Sequence, residues 1–173
     1  MAEPESGLIY WFRPDPRAIM PLDGFHISRS LAKTLRRGAF ETTVNAAFER
    51  VMRACADRDE TWISEEFIEA YCELHRIGTA HSVEVWADGE LAGGTYGVAL
   101  GGAFMAESMF HIRTDASKVA LAALVKRLNE RGFSLMDVQY MTDHLAKLGA
   151  VEIPGRRYEH RLAAALAADC AFD

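Results

Sequence analysis

Ala103–Thr142 reads A-F-M-A-E-S-M-F-H-I-R-T-D-A-S-K-V-A-L-A-A-L-V-K-R-L-N-E-R-G-F-S-L-M-D-V-Q-Y-M-T, and its pattern is strand, helix, strand. The first piece is an apolar run holding one carboxylate, Glu107. The middle, from Asp115 to Gly132, has helical spacing. The last is apolar again apart from Asp137 and Gln139. Alternate residues of a strand share a face, so Asp137 and Gln139 are expected to project together, about 6.5–7 Å apart along the strand. A right-handed strand, helix, strand crossover makes the two strands parallel and brings them close in one sheet, which lets Glu107 join the pair. Buried acids and amides are costly unless paired or used, about 1–3 kcal/mol for an unsatisfied polar group and more for a charge. Two readings fit this cluster: a hydrogen-bond network that ties two strands together, or a functional site. Spacing does not choose between them, since structural networks also perturb carboxylates.

Working toward the C-terminus, Thr142 is expected to cap a short helix D-H-L-A-K-L that Gly149 stops. A short strand A-V-E-I leads to Pro154, and the helical tail G-R-R-Y-E-H-R-L-A-A-A-L carries Arg156, Arg157 and Arg161. Working toward the N-terminus, Gly101-Gly102 turns the chain into the Glu107 strand. Before it, H-S-V-E-V-W-A and E-L-A-G-G-T-Y-G-V-A-L flank Asp88-Gly89, a strong hairpin signal. Gly93, Gly94 and Gly97 suggest a bulge or a close approach of ligand or backbone. Ser64 followed by Glu65 and Glu66 opens an amphipathic helix closed by Gly78. Asn45 is expected to cap A-A-F-E-R-V-M-R-A-C-A, after a short strand F-E-T-T-V. Ser28 caps R-S-L-A-K-T-L-R-R, stopped by Gly38, and Arg29, Lys33, Arg36 and Arg37 share one face of it. Pro14, Pro16 and Pro21 forbid a regular helix near the start and keep any strand there short or peripheral. Tyr10, Trp11 and Phe12 are expected to pack, or one of them to line a pocket. Thr114 or Asp115 is the expected cap of the central helix, and Gly132 its end.

A chain of 173 residues that is 50% hydrophobic is long enough for one domain, 1–173, with a sizeable core. A net charge of −6 argues against nucleic-acid binding driven by overall charge, while leaving room for a local basic face. Cys55, Cys72 and Cys170 form no framework, which points to a reducing compartment and a cytoplasmic location. Cys72 and His75 stand at C-x-x-H spacing without a second ligand pair, so no metal is expected. The acidic start has no apolar leader, and no apolar run is long enough to span a membrane. No internal repeat, linker or low-complexity segment stands out.

Helices, a three-stranded antiparallel meander, then helix, strand, helix, strand, helix imply an α+β domain with one mixed sheet flanked by helices. That succession resembles the GNAT acyltransferase fold. In its acyl-CoA members, a glycine-bearing loop before the central helix offers backbone amides to a pyrophosphate. Here the loop reads H-I-R-T-D-A-S-K, without glycine and with Asp115 where an anion would approach, so coenzyme A is a poor fit and no cofactor is expected.

A more specific resemblance covers nearly the whole chain in order. W-F-R-P-D-P-R-A (11–18), F-H-I-S-R-S-L (25–31), T-W-I (61–63), E-A-Y-C-E-L-H (69–75), A-H-S-V-E-V-W (80–86) and L-A-G-G-T-Y-G-V-A-L-G (91–101) carry its first half. E-S-M-F (107–110), D-A-S-K-V-A-L (115–121), D-V-Q (137–139) and H-L-A-K-L-G-A-V-E-I-P (144–154) carry the rest. The chain is similar to the leucyl/phenylalanyl-tRNA-protein transferase family. The resemblance implies transfer of leucine or phenylalanine from charged tRNA to the α-amine of proteins beginning with arginine or lysine, marking them for degradation. It implies Asp137 and Gln139 as the family's D-x-Q pair and Glu107 as its glutamate. In that reading Gln139 orients the amine, Asp137 accepts its proton directly or through Gln139 and water, and Glu107 holds the cationic acceptor side chain. It further implies a donor pocket at Trp62, Thr95, Phe104, Leu121, Leu124, Leu128 and Met136, and a tRNA-contacting face at Arg29, Lys33, Arg36 and Arg37.

Departures accompany the likeness. Typical members begin with a further segment whose aromatic roofs the donor pocket, and the resemblance starts after it, so a short form is expected in which Tyr10, Trp11 or a partner chain replaces that wall. Ala106 and His111 stand where the family has glycine and serine around E-S-M-F, and Thr95 replaces a larger apolar residue. Two alternatives stay open: an N-acyltransferase of the same fold with another donor, and a non-catalytic binder of charged tRNA or basic N-termini.

Overall fold

The computed structural model describes residues 12–173, so the expectations for Tyr10 and Trp11 lie outside the described residues. In chain order the elements are β1 (Arg17–Ile19), α1 (Arg29–Arg37), β2 (Glu41–Val44), α2 (Phe48–Ala56), α3 (Glu65–Arg76), β3 (Ala80–Ala87) and β4 (Glu90–Leu100). They continue with β5 (Ala103–His111), α4 (Ala116–Glu130), β6 (Leu135–Gln139), α5 (Asp143–Lys147), β7 (Val151–Ile153) and α6 (Gly155–Leu166). All seven strands join one mixed sheet in the order β2-β3-β4-β5-β6-β1-β7. The strand, helix, strand reading holds: β5 and β6 are parallel, with Ala103, Phe104 and Met105 opposite Leu135, Met136 and Asp137. The meander β3-β4-β5 is antiparallel, and β2 extends it by pairing with β3.

Local chemistry sets most boundaries. Ser28, Ser64 and Thr142 each accept a backbone N–H from the first turn of the helix that follows. Gly38 closes α1 in the left-handed region at φ 63°. Asp88 and Gly89 take φ 54° and 79°, the pair of positive angles a two-residue hairpin turn demands. Gly97 sits at a register shift between β4 and β5, and a Cβ there would lie 2.2 Å from the Met105 carbonyl oxygen.

One expected cap is corrected, and a second holds by position but not by side chain. Asn45 does not cap α2. It takes a positive φ of 57°, and its amide clasps the neighbouring strand, accepting from the Ser82 N–H and donating to Asp173. The buried Glu84 carboxylate receives the N–H groups of Ala46 and Ala47 just ahead of the helix, and α2 has no side-chain cap among the described residues. At α4 the cap position is Asp115, but its side chain makes no capping bond. It bonds instead to Thr34 of α1 and to Lys118.

Helices cover both faces of the sheet. On one, α4 buries Val119, Leu121, Leu124, Val125 and Leu128 against Val83, Val85, Phe104 and Met136. On the other, α2 and α3 enclose Phe48, Val51, Met52, Ile68, Tyr96 and Phe110. α6 adds Ala165 and Leu162 over Ile19, Leu135 and Ile153. Each fully buried leucine contributes about 1.5–3 kcal/mol. The helix–sheet contacts thereby hold β5 and β6 firmly at their paired ends. No described helix is long and apolar enough to cross a membrane.

Candidate active site

β5 and β6 pair only from Ala103 to Met105 and from Leu135 to Asp137, while β5 runs on to His111. Beyond the paired stretch the two parallel strands part. A cavity of about 170 Å³ occupies the gap, lined by Thr95, Glu107, Met109, Leu121, Gln139 and Thr142 among others. Of the residues singled out by spacing, Gln139 and, from β5, Glu107 line this opening, whereas Asp137 is fully buried and is not among the lining residues.

Asp137 is fully buried, and its charge is matched from far along the chain. β1 lies antiparallel to β6 with Ile19 opposite Asp137, which brings in Arg17. The Arg17 guanidinium donates Nε to Asp137 Oδ1 at 3.0 Å and Nη2 to Oδ2 at 2.6 Å. α6 supplies the Tyr158 hydroxyl, which donates to Oδ2 at 2.7 Å, and Arg17 also lies over the Tyr158 ring at 4.9 Å. The fourth donor is the backbone N–H of Gln139, 2.9 Å from Oδ1. Burial opposes the Arg17 charge, but the hydrogen bonds and charge of Asp137 more than offset it, so the Arg17 pKa is raised. Burial also raises the Tyr158 phenol, with Asp137 adding to the effect.

Gln139 leaves the strand in the left-handed region at φ 59°, an uncommon conformation for a residue other than glycine. The bond from its N–H to Asp137 holds that turn. Its half-buried side chain lines the cavity, and among the described residues the carboxamide has no hydrogen-bond partner. Glu107 is half-buried too. Burial pushes its carboxyl above the usual range, the facing Tyr71 hydroxyl opposes this, and the Asp137 charge reinforces it. Behind Glu107, the Tyr96 hydroxyl is buried without a hydrogen-bond partner among the described residues, and burial lifts the Cys55 thiol to about 12.

The expected donor pocket is divided. Thr95 and Leu121 line the cavity, the Thr95 hydroxyl donating to the Ser108 carbonyl at 3.0 Å. Phe104, Leu124, Leu128 and Met136 belong to the closed core around α4. Trp62 packs edge-on against Phe67 on the opposite face of the sheet. On α1, Arg29, Lys33, Arg36 and Arg37 are all exposed, and none joins an ion pair among the described residues. Sequence reasoning missed Arg17, Tyr158 and Tyr71. The one available signal was that a buried Asp137 needs a cation from a distant segment, and spacing does not say which arginine supplies it.

A family model described as leucyl/phenylalanyl-tRNA protein transferase matches residues 19–163, a span containing Glu107, Asp137, Gln139 and Tyr158. The chain belongs to that family. The leucyl/phenylalanyl-tRNA-protein transferase of Herpetosiphon aurantiacus is 56% identical over 97% of this chain and 88% of its own length. That of Gloeobacter violaceus is 55% identical over 99% of this chain and 89% of its own. Family membership makes the chain an aminoacyl-tRNA-protein transferase, acting between charged tRNA and protein. Among solved structures, a GCN5-related N-acetyltransferase from Kribbella flavida superposes with a TM-score of 0.53 over 80% of this chain and 55% of its own, at 14% identity. That likeness concerns the fold, and it agrees with the mixed sheet and crossover helix of this transferase.

Proposed function

We propose that the chain moves leucine or phenylalanine from charged tRNA to the N-terminal α-amine of proteins that begin with arginine or lysine, tagging them for proteolysis in the cytoplasm. The observation that carries this reading is the Gln139 carboxamide, unengaged among the described residues, at the mouth between two parting strands and on a backbone turn locked by a four-donor carboxylate.

The reaction is aminolysis of an ester. The acceptor nitrogen bonds to the aminoacyl carbonyl carbon, a tetrahedral oxyanion forms, and the bond to the ribose oxygen breaks. The proton lost by nitrogen ends on that ribose oxygen. Free α-amines titrate near 7.7–8.0, so part of the population is nucleophilic at neutral pH, and orientation matters more than strong base catalysis. The Gln139 carboxamide oxygen accepts an N–H of the attacking amine and aims its lone pair. Asp137 already receives four donors, so the proposal makes it a positioning residue that holds Gln139, in place of the proton acceptor expected from the family pattern. Glu107 pairs with the acceptor's cationic side chain, and that cation restores the ionised form which burial disfavours. Thr95 and Leu121 border the donor side chain, and the exposed cations of α1 meet acceptor-stem phosphates.

The test is transfer of labelled leucine, phenylalanine and methionine from charged tRNA to peptides beginning with arginine, lysine or alanine. Gln139→Ala and Asp137→Asn are expected to abolish most transfer, and the alanine peptide is expected to be a poor acceptor. Charged-tRNA binding without transfer by the parent protein would replace this reading with that of a binder. Transfer unchanged in Gln139→Ala would move the chemistry elsewhere.

A further inference from the structure

Beside the cavity, on the α4 face of the sheet, is a group of basic side chains that the reaction as described leaves unused. His111 ends β5, Lys118 lies in the first turn of α4, and His144 and Lys147 belong to α5. They converge: burial depresses His144, and the nearby Lys118, His111 and Lys147 charges depress it further. His144 Nε2 is buried and has no hydrogen-bond partner among the described residues. Asp115, close to Lys118 and His111, is already engaged, with Lys118 Nζ at 2.7 Å and the Thr34 hydroxyl at 3.1 Å. Asp143, next to His144, is exposed and in no ion pair among the described residues. Several cationic or donor groups thus lie close together, with Asp115 already satisfied and Asp143 exposed, an arrangement suited to an added anion.

Its position says which anion. His144 is flanked by Thr142 and Leu145, both of which line the Gln139 cavity. Met109, two residues before His111 on β5, lines it as well, and Lys118 stands one helical turn before Leu121. On its other side, the Thr34–Asp115 bond ties the group to α1, whose exposed face carries Arg29, Lys33, Arg36 and Arg37. The group therefore bridges the basic helix and the cavity. We infer that His111, Lys118, His144 and Lys147 seat the phosphodiesters of the donor's single-stranded 3′ end, between the acceptor stem on α1 and the ester in the cavity. This rests on the transfer reading above. Lysines supply point charges to the phosphate oxygens, and His144 Nε2 supplies a short directional hydrogen bond. Asp115, which looked like an obstacle to an anion in the sequence, is neutralised by Lys118 and turned toward α1.

The experiment compares two small donors of the same amino acid: its ester with adenosine, which has no phosphate, and its ester with the dinucleotide cytidylyl-adenosine, which has one phosphodiester next to the terminal nucleoside. For Lys147→Ala and His144→Gln, the ratio of kcat/KM for the dinucleotide donor to that for the adenosine donor is expected to fall about tenfold, as loss of a charge-assisted hydrogen bond implies. With whole charged tRNA, the slope of log affinity against log salt should shrink by about 0.7 for each phosphate deprived of its cation. Lys147 is exposed, so Lys147→Ala keeps the test sound if His144→Gln disturbs folding. An unchanged ratio in both variants, with the parent protein active on both donors, overturns the inference and leaves the transfer reading standing. A parent protein that uses neither small donor nor whole charged tRNA overturns both.

Discussion

Arg17→Met tests the central pairing of this site. The Arg17 side chain is 15% exposed and Asp137 0%, so removing the guanidinium leaves a fully buried carboxylate with two of its four donors, the Tyr158 hydroxyl and the Gln139 N–H. Breaking a buried pair from one side costs about 3–5 kcal/mol, because the remaining charge is left uncompensated. At about 2–4 °C per kcal/mol for a chain of this size, Tm should fall by about 6–20 °C. Asp137→Asn in the same background removes the charge while keeping the shape: its amide oxygen can still accept the Gln139 N–H, and its NH2 can donate to the Tyr158 hydroxyl oxygen. The double variant Arg17→Met/Asp137→Asn should therefore recover most of the loss, giving a coupling well beyond the few tenths of a kcal/mol seen between independent sites. Urea unfolding of the parent, both single variants and the double variant measures it. A cost below about 1 kcal/mol for Arg17→Met, as an exposed pair would give, refutes the reasoning, as does simple addition of the two single losses.

Other consequences follow from burial and close approach. Because burial raises Glu107, the native state binds more protons than the unfolded chain between the ordinary glutamate pKa of about 4.3 and the raised value, so its contribution to stability falls as pH climbs through that window. Glu107→Gln should accordingly be more stable than the parent at neutral pH and lose that advantage at acid pH, while its preference for arginine over alanine acceptors weakens. Urea melts from acid to neutral pH check this, and a stability difference independent of pH contradicts it. Tyr96→Phe removes a buried hydroxyl that has no partner among the described residues, so thermal melts should show no loss or a slight gain, in contrast to the loss of about 1.5–3 kcal/mol expected for Tyr158→Phe, whose hydroxyl serves a charged acceptor. Gly97→Ala should cost about 3 kcal/mol or more, because its Cβ would meet the Met105 carbonyl at 2.2 Å and the Phe104 ring at 2.6 Å, and expression as a fully stable protein would contradict that geometry.

Much of this molecule is written in neighbouring residues. The crossover from β5 through α4 to β6, the turn at Asp88 and Gly89, and the caps at Ser28, Ser64 and Thr142 all follow from spacing and from the local hydrogen bonds that particular side chains make to nearby backbone. The same local pattern marked Asp137, Gln139 and Glu107 as polar groups inside apolar strands, and the run of matching segments pointed to the family. Where a buried acid finds its partner is a different matter. Asn45 left its expected cap to accept the Ser82 N–H of the neighbouring strand β3, and Asp137 is neutralised by Arg17, 120 positions away, and receives the Tyr158 hydroxyl from the last helix. The division of the pocket residues between cavity and closed core likewise depends on how far β5 and β6 stay paired. Local rules act over a few residues, through bonds that any chain with that sequence can form at once. Charge pairing, burial and the opening between strands depend on register and on which elements pack together, and only the complete tertiary structure decides those.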